Sequence, residues 1–312
     1  MNEKILITGG AGYVGSVMTD HLLNQGYEVT VLDNLMHNQQ SLLYLFHHKK
    51  FNFIHGDVRN PELLRSIVPK FDFILPLAAI VGAPLCEKKP EDARSTNYEA
   101  IALLNKIRDS KRQKIIFPMT DSGYGSQTGT VHCTEETPLA PVSLYGQTKV
   151  DAEKVLMSTP NTVSLRLATA FGSSFRLRTD LLINYLVLHA LRDNYIVVFE
   201  KNFHRNFIHV RDIARAFQHT IENFDSMKDQ IYNIGDDSLN MTKEELVFKI
   251  KEHIPSVYLH FADIGTDMDK RNYTVSNKKI AKTGFKIETT IDDGIEELKR
   301  TFQFLERNYS NV

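Results

Sequence analysis

Tyr145 and Lys149 lie four residues apart in a stretch, Leu144 to Ser158, whose pattern predicts a helix. Their side chains therefore share one face, a turn apart. Of the chain's 12 tyrosines, only Tyr145 is followed by lysine at this spacing. A phenol ordinarily ionises near pH 10, too high for a base at neutral pH, and a neighbouring ammonium favours the phenolate and lowers that value. A tyrosine so tuned can take a proton from an alcohol as hydride leaves the same carbon. Tyrosine and lysine at helical spacing also make ordinary solvated pairs, so this chemistry requires a hydride acceptor held elsewhere in the chain.

The segment KILITGGAGYVG, Lys4 to Gly15, offers a site for one. Ile5, Leu6 and Ile7 read as a strand buried on both faces. Gly9, Gly12 and Gly15 follow at three-residue intervals, and Ser16 to Gln25 reads as a helix stopped by Gly26. Glycine allows positive φ and close approach of a ligand, while a helix N-terminus presents N–H groups and a positive dipole end to an anion. Strand, glycines and helix together predict a dinucleotide loop, with Gly9, Gly12, Tyr13, Val14 and Gly15 against the ligand. Its first two glycines are spaced more widely than in the G-x-G-x-x-G fingerprint.

Tyr27 to Leu32 alternates as a second strand and ends at Asp33-Asn34. An acidic residue about 20 positions beyond the glycines accepts from the adenosine ribose hydroxyls and repels a 2′-phosphate, which predicts NAD rather than NADP. The other reading of Asp33 is a strand-end turn aspartate. After a third strand, Phe51 to Ile54, Asp57 either caps the next helix or accepts from the adenine amino group, with Val58 beside it. A fourth strand, Phe71 to Leu77, runs into Leu77-Ala78-Ala79, small enough for backbone to lie on the cofactor or for a helix to pack closely.

Ile80 to Pro90 then reads as a loop and Ala93 to Asp109 as one long helix. Lys114 to Phe117 is a fifth strand, Pro118 to Pro141 irregular, and Thr162 to Leu167 a sixth strand. This alternation predicts an α/β fold, a Rossmann-type doubly wound parallel sheet with a smaller C-terminal α/β substrate domain. The expected division is an NAD-binding domain over residues 1–168 and, over 169–312, mainly a substrate domain with some segments returning to the first. Expected helices there are Leu181–Asp193, Val210–Asn223, Lys243–His253 and Ile291–Phe304.

The 312 residues are 42% hydrophobic and 24% charged, with 37 Lys+Arg against 38 Asp+Glu. A net charge of −1 provides no basic field for nucleic acid. Two cysteines, Cys86 and Cys133, have no metal-ligand spacing and suggest no disulfide framework, so no metal site and a reducing, cytoplasmic setting are expected. No signal peptide is read at the start of the chain. Leu181 to Phe199, the most apolar region, is broken by Asn184, His189, Arg192 and Asp193, which argues against a membrane span.

On these motifs the chain resembles the extended short-chain dehydrogenase/reductase family, in its nucleotide-sugar epimerase and dehydratase branch. The resemblance runs nearly end to end. It takes in TGGAGYVG, Asn97, Thr120 with Tyr124-Gly125, Tyr145-Gly-Gln-Thr-Lys149, Leu165-Arg166, Phe171-Gly172, RNFIHVRDIA, YNIG and Arg271-Asn272-Tyr273. It implies oxidation of a sugar C-4 hydroxyl through a 4-keto product or intermediate, with Tyr145 as base, Lys149 tuning it and holding the nicotinamide ribose, and Thr120 bonding the substrate oxygen. Asp121 and Ser122 follow into the substrate site. Dehydratases resemble Thr-Asp-Glu here, whereas this chain has Thr120-Asp121-Ser122; serine is too weak a base for the C-5 proton, which disfavours dehydration. No cysteine follows Thr120, and Cys86 reads as a packing residue.

Arg205 and Arg271 match phosphate-contacting positions of the family, and Arg176 and Arg178 lie where its substrate loop should be, with Asn184 following. One departure is Thr169, where an asparagine is familiar. The look of PLAAIVGAPLCEKKP and FGSSFRLRTDLL suggests bacterial surface-polysaccharide enzymes and a GDP-linked mannose or manno-heptose. Alternatives are a UDP-sugar 4-epimerase, a 4-ketosugar reductase, or a non-catalytic dinucleotide-binding regulator. A homodimer through the Ala93 and Tyr145 helices is a further family expectation.

Overall fold

Ile5, Leu6 and Ile7 have no solvent exposure, because their strand, Lys4–Thr8, runs through the middle of a seven-stranded sheet. In the computed structural model, which describes residues 3–126, 132–262 and 272–306, the order across that sheet is Gln230–Ile234, Thr162–Leu167, Lys114–Thr120, Phe73–Pro76, Lys4–Thr8, Glu28–Asp33 and Phe51–His55. Every pairing is parallel. From Lys4–Thr8 the chain winds outward through Glu28–Asp33, then returns to the other side at Phe73–Pro76. Strand order reverses there, and the carboxyl ends of the flanking strands open the crevice in which doubly wound sheets bind ligands.

Both faces are covered, which is why the strands are apolar throughout rather than alternating. One face packs Val17, Met18 and Leu22 of helix Tyr13–Asn24 with Ile213 and Phe217 of helix Val210–Glu222. The other packs Leu64, Ile101, Leu104, Val150 and Leu156. Each such side chain withdrawn from water contributes roughly 1.5–3 kcal/mol. The sequence pattern left the seventh strand among the short strands of the second half. Gln230–Ile234 pairs with Thr162–Leu167, so the second half gives both a helix and an edge strand to the first.

A separate apolar cluster joins Ile183, Val187, Leu246, Ile250, Ile295 and Leu298 from helices Leu182–Arg192, Lys243–His253 and Ile291–Glu306. Beside it His204–His209 pairs in parallel with Thr169–Phe171 and antiparallel with Asn240–Thr242. No helix among the described residues is long and apolar enough to cross a membrane.

Three local expectations are corrected. The supposed loop Ile80 to Pro90 contains a helix, Ala83–Lys88; Pro84 sits in its first turn, where a proline ring costs no hydrogen bond. The supposed single helix from Ala93 is Pro90–Arg94, a π-helical segment Ser95–Glu99, and Ala100–Ile107. In the supposedly irregular region, Asp121–Tyr124 forms a 3₁₀ turn, and His132–Cys133 pairs with Thr274–Val275.

Candidate functional site

The three glycines of the first loop have different jobs. Gly9 has φ +72°, and a Cβ there would lie 2.6 Å from the backbone of Ala78. At Gly15 a Cβ would lie 2.4 Å from the Gly9 carbonyl oxygen. Both glycines therefore let the loop, the helix and the Leu77-Ala78 segment close on one another. At Gly12 a Cβ would meet only the Gly9 oxygen, at 3.1 Å. The helix that follows has no side-chain N-cap and no acidic residue in its first turn. A narrow cradle is thus left at Gly12, walled by backbone and facing a positive helix end, and it fits a pyrophosphate.

Asp33, 7% exposed, accepts from the Ala11 N–H at 3.0 Å and the Leu35 N–H at 2.8 Å. Gln39 Nε2 reaches it at 3.4 Å. It thus makes the strand-end turn and also shapes the glycine loop. An ionised carboxylate has about four acceptor sites, so capacity remains for a ribose hydroxyl. Asp57 does not cap the next helix, because Asn60 accepts from Glu62 and Leu63 N–H in that role. Instead Asp57 takes Arg59, which holds its carboxyl down at about 2, together with Asn34 at 3.3 Å. Val58, Ala78, Ala100 and Ile101 line a small apolar recess. Leu77 and Ala79 are half-buried. The Tyr13 ring turns away from the cradle, its hydroxyl donating to the Gly172 carbonyl at 2.7 Å, so only its backbone faces a ligand.

Helix Leu144–Met157 begins at Ser143, whose Oγ accepts from the Gly146 N–H at 3.2 Å. Tyr145 packs against Ile80, Cys86 and Ala93, and Cys86 is a packing residue, fully buried and bonded to the Ile80 carbonyl. Lys149 is 4% exposed, with Nζ 4.0 Å from the centre of the Phe117 ring. Burial pushes its ammonium down to about 7, against the pull of Glu153. A lysine of this kind exchanges protons and charge at neutral pH, which is what tuning a phenol requires.

Thr120 is the last residue of strand Lys114–Thr120. Its Oγ1 donates to Ser122 Oγ at 3.0 Å and accepts from the Ser122 N–H at 3.1 Å, and its O–H can turn from Ser122 to donate to a substrate oxygen. Asp121 and Ser122 are almost wholly enclosed, at 2% and 3% exposure.

Two supports of the helix had no assigned role in the sequence. Glu153, the next residue on the Tyr145–Lys149 face, is bound by Arg166 at 2.7 Å and Ser164 at 2.6 Å; its continued four-residue spacing was the available signal. Asn97, in the π-helical segment, accepts from the Ile80 N–H, donates to the Ile80 carbonyl and reaches Thr148. It fastens the loop after the fourth strand to the catalytic helix.

The second half supplies fewer of the expected contacts. Asn184 is fully buried. It accepts from Gly172 N–H at 3.0 Å and donates to the Gly172 and Arg178 carbonyls at 3.1 and 2.8 Å. These bonds shape the loop from within. Arg205 is 2% exposed and donates to the His204 carbonyl at 2.9 Å. Arg178 pairs with Asp180, and Arg176 lies two residues before it on the same loop. Arg271 falls outside the described residues. His209 begins helix Val210–Glu222, accepting from the Arg211 N–H and bonding Glu297 at 3.1 Å.

Comparison with known proteins decides the family. The model of the NAD dependent epimerase/dehydratase family matches residues 5–235. The chain belongs to this family. It is 28% identical to the low-salt glycan biosynthesis protein Agl12 of Haloferax volcanii, over 94% of this chain and 96% of that one. It is 27% identical to a UDP-glucose 4-epimerase of Corynebacterium glutamicum, over 74% and 75% of the two chains. The structure of a dTDP-glucose 4,6-dehydratase from Bacillus anthracis in complex with NAD superimposes with a TM-score of 0.82 at 24% identity, covering 98% of this chain and 97% of that one. The cofactor of this family member is NAD, and the Gly12 cradle and Asp33 fit it.

Proposed function

We propose that this enzyme oxidises the C-4 hydroxyl of a nucleotide sugar, through a 4-keto product or intermediate and without dehydration. The observation that carries the reading is buried Lys149, poised near neutrality on the face of the helix that presents Tyr145. Bound NAD supplies a hydride acceptor. Tyr145 takes the hydroxyl proton, Lys149 favours its phenolate by charge, and the Thr120 hydroxyl, turned from Ser122 Oγ to the substrate oxygen, orients that oxygen by donating to it. In the reverse direction Tyr145 returns the proton. Ser122, tied to Thr120, puts a weakly basic hydroxyl where a dehydratase would need a carboxylate, which supports omitting elimination. We take a GDP-linked manno-sugar or heptose as the substrate, with the molecule acting as a homodimer. A UDP-sugar 4-epimerase is the second reading, favoured by the similarity to the Corynebacterium UDP-glucose 4-epimerase.

Incubating the enzyme with GDP-, UDP- and dTDP-sugars separates these outcomes. Accumulated NADH with a 4-keto product means net oxidation, and isomers without net NADH mean epimerisation. A 4-keto-6-deoxy product would overturn the exclusion of dehydration. Tyr145→Phe should lower turnover by roughly 10²–10⁴-fold while NAD still binds; unchanged turnover would remove Tyr145 as the base.

A further inference from the structure

The segment from Ser173 to Asp180 crosses back from the small sheet onto the first helix. Ser174 Oγ donates to the Tyr13 carbonyl at 2.6 Å and lies 3.1 Å from Ser16 Oγ. The next residue, Phe175, places its ring 4.4 Å from that of Tyr44, in the segment after the second strand. Arg176 follows directly, its N–H donating to Ser174 Oγ at 3.3 Å. The two residues before Arg176 are therefore fastened, Ser174 to the start of the first helix and Phe175 to Tyr44.

Its guanidinium is half-buried, and among the described residues it makes no side-chain hydrogen bond or ion pair. Arg178, two residues on, is taken by Asp180. Burial and the like charge of Arg178 both oppose the charge on Arg176, while Asp180 and Asp33 support it. Burial lowers His37, and Arg176 acts on it next in strength. The electrostatic neighbours of Arg176 thus include Asp33 and His37, beside the adenosine end of the cradle. A half-buried cation next to another is unfavourable until an anion joins it, and the planar fork of arginine suits phosphate oxygens.

We propose that Arg176 is a cofactor-binding residue, gripping the adenosine-side phosphate of NAD from the wall opposite the glycine-loop amides. This rests on the NAD site described above and reassigns Arg176 from the substrate.

The test is a set of affinities by calorimetry on full-length protein stripped of copurified nucleotide. The ligands are NAD, ADP-ribose, AMP, adenosine, NADP, a UDP-sugar and a GDP-sugar. In Arg176→Ala, binding of AMP, ADP-ribose and NAD should weaken by roughly ten- to a hundredfold. Adenosine and the nucleotide sugar should bind as in the wild type, and Arg176→Lys should recover part of the loss. An equal loss for adenosine and AMP would overturn the assignment, as would loss of the nucleotide sugar with NAD retained, or a loss confined to NADP. Wild-type protein that bound neither NAD nor AMP would overturn the cofactor site itself, and the role of Arg176 with it.

Discussion

Lys149 should make the resting protein less stable than it need be. An ordinary lysine ionises near 10.5, and burial brings this one to about 7. Below pH 7 both folded and unfolded chains carry the proton, and the gap corresponds to a folding cost of roughly 4–5 kcal/mol. Between pH 7 and 10.5 the unfolded chain holds more protons than the folded one, so stability rises with pH in that window. The cost is still about 4 kcal/mol at pH 7 and falls to about 2 kcal/mol at pH 9. Lys149→Met fills similar volume without charge. In cofactor-free protein it should be the more stable form by amounts of that order, and the advantage should shrink as pH rises. Urea denaturation of both proteins at intervals from pH 6 to about pH 9.5 measures the difference. An advantage that stays flat with pH, or a variant less stable throughout, would refute the claim that Lys149 is held against its preferred charge state. The same substitution should abolish turnover, separating what the residue costs the fold from what it does for Tyr145.

Gly9→Ala should fail to fold or lose several kcal/mol, because its Cβ would enter the Ala78 backbone at positive φ. Gly12→Ala should fold with a stability change of about 1 kcal/mol or less yet bind NAD at least roughly tenfold more weakly; melting curves and NAD titration separate the two. Asn184→Leu should cost about 2–4 kcal/mol by stranding Gly172 and Arg178 backbone groups, read as a lower denaturation midpoint. At His253, burial opposes the charge, but bonds to Asp292 and Glu296 prevail and raise its ionisation. Its contribution is therefore full at acidic pH and lost as pH rises through the folded value. The gap between wild type and His253→Gln should be widest near pH 5.5 and narrow above pH 8.

Local patterns carried much of this protein. The alternation of apolar runs and helical stretches specified a doubly wound sheet, because a strand covered on both faces must be apolar throughout. Gly9, Gly12 and Gly15 and the Tyr145–Lys149 spacing were legible because a tight turn and a helical face are set by residues a few positions apart.

What escaped depended on residues distant in the chain. Gln230–Ile234 joins the large sheet only because Thr162–Leu167 offers it an edge. The bonds of Asn184 to Gly172 and to the Arg178 carbonyl join residues 6 to 12 positions apart across a helix start and a loop. The π-helical segment at Asn97 follows from a bond to Ile80, 17 residues away, and the depth of Lys149 from the Phe117 ring and a closed core. Spacing along a helix or turn chose the chemical groups of this enzyme. Burial and long-range hydrogen bonding decided which could still reach a ligand, because desolvation and competing partners exist only once the chain has folded.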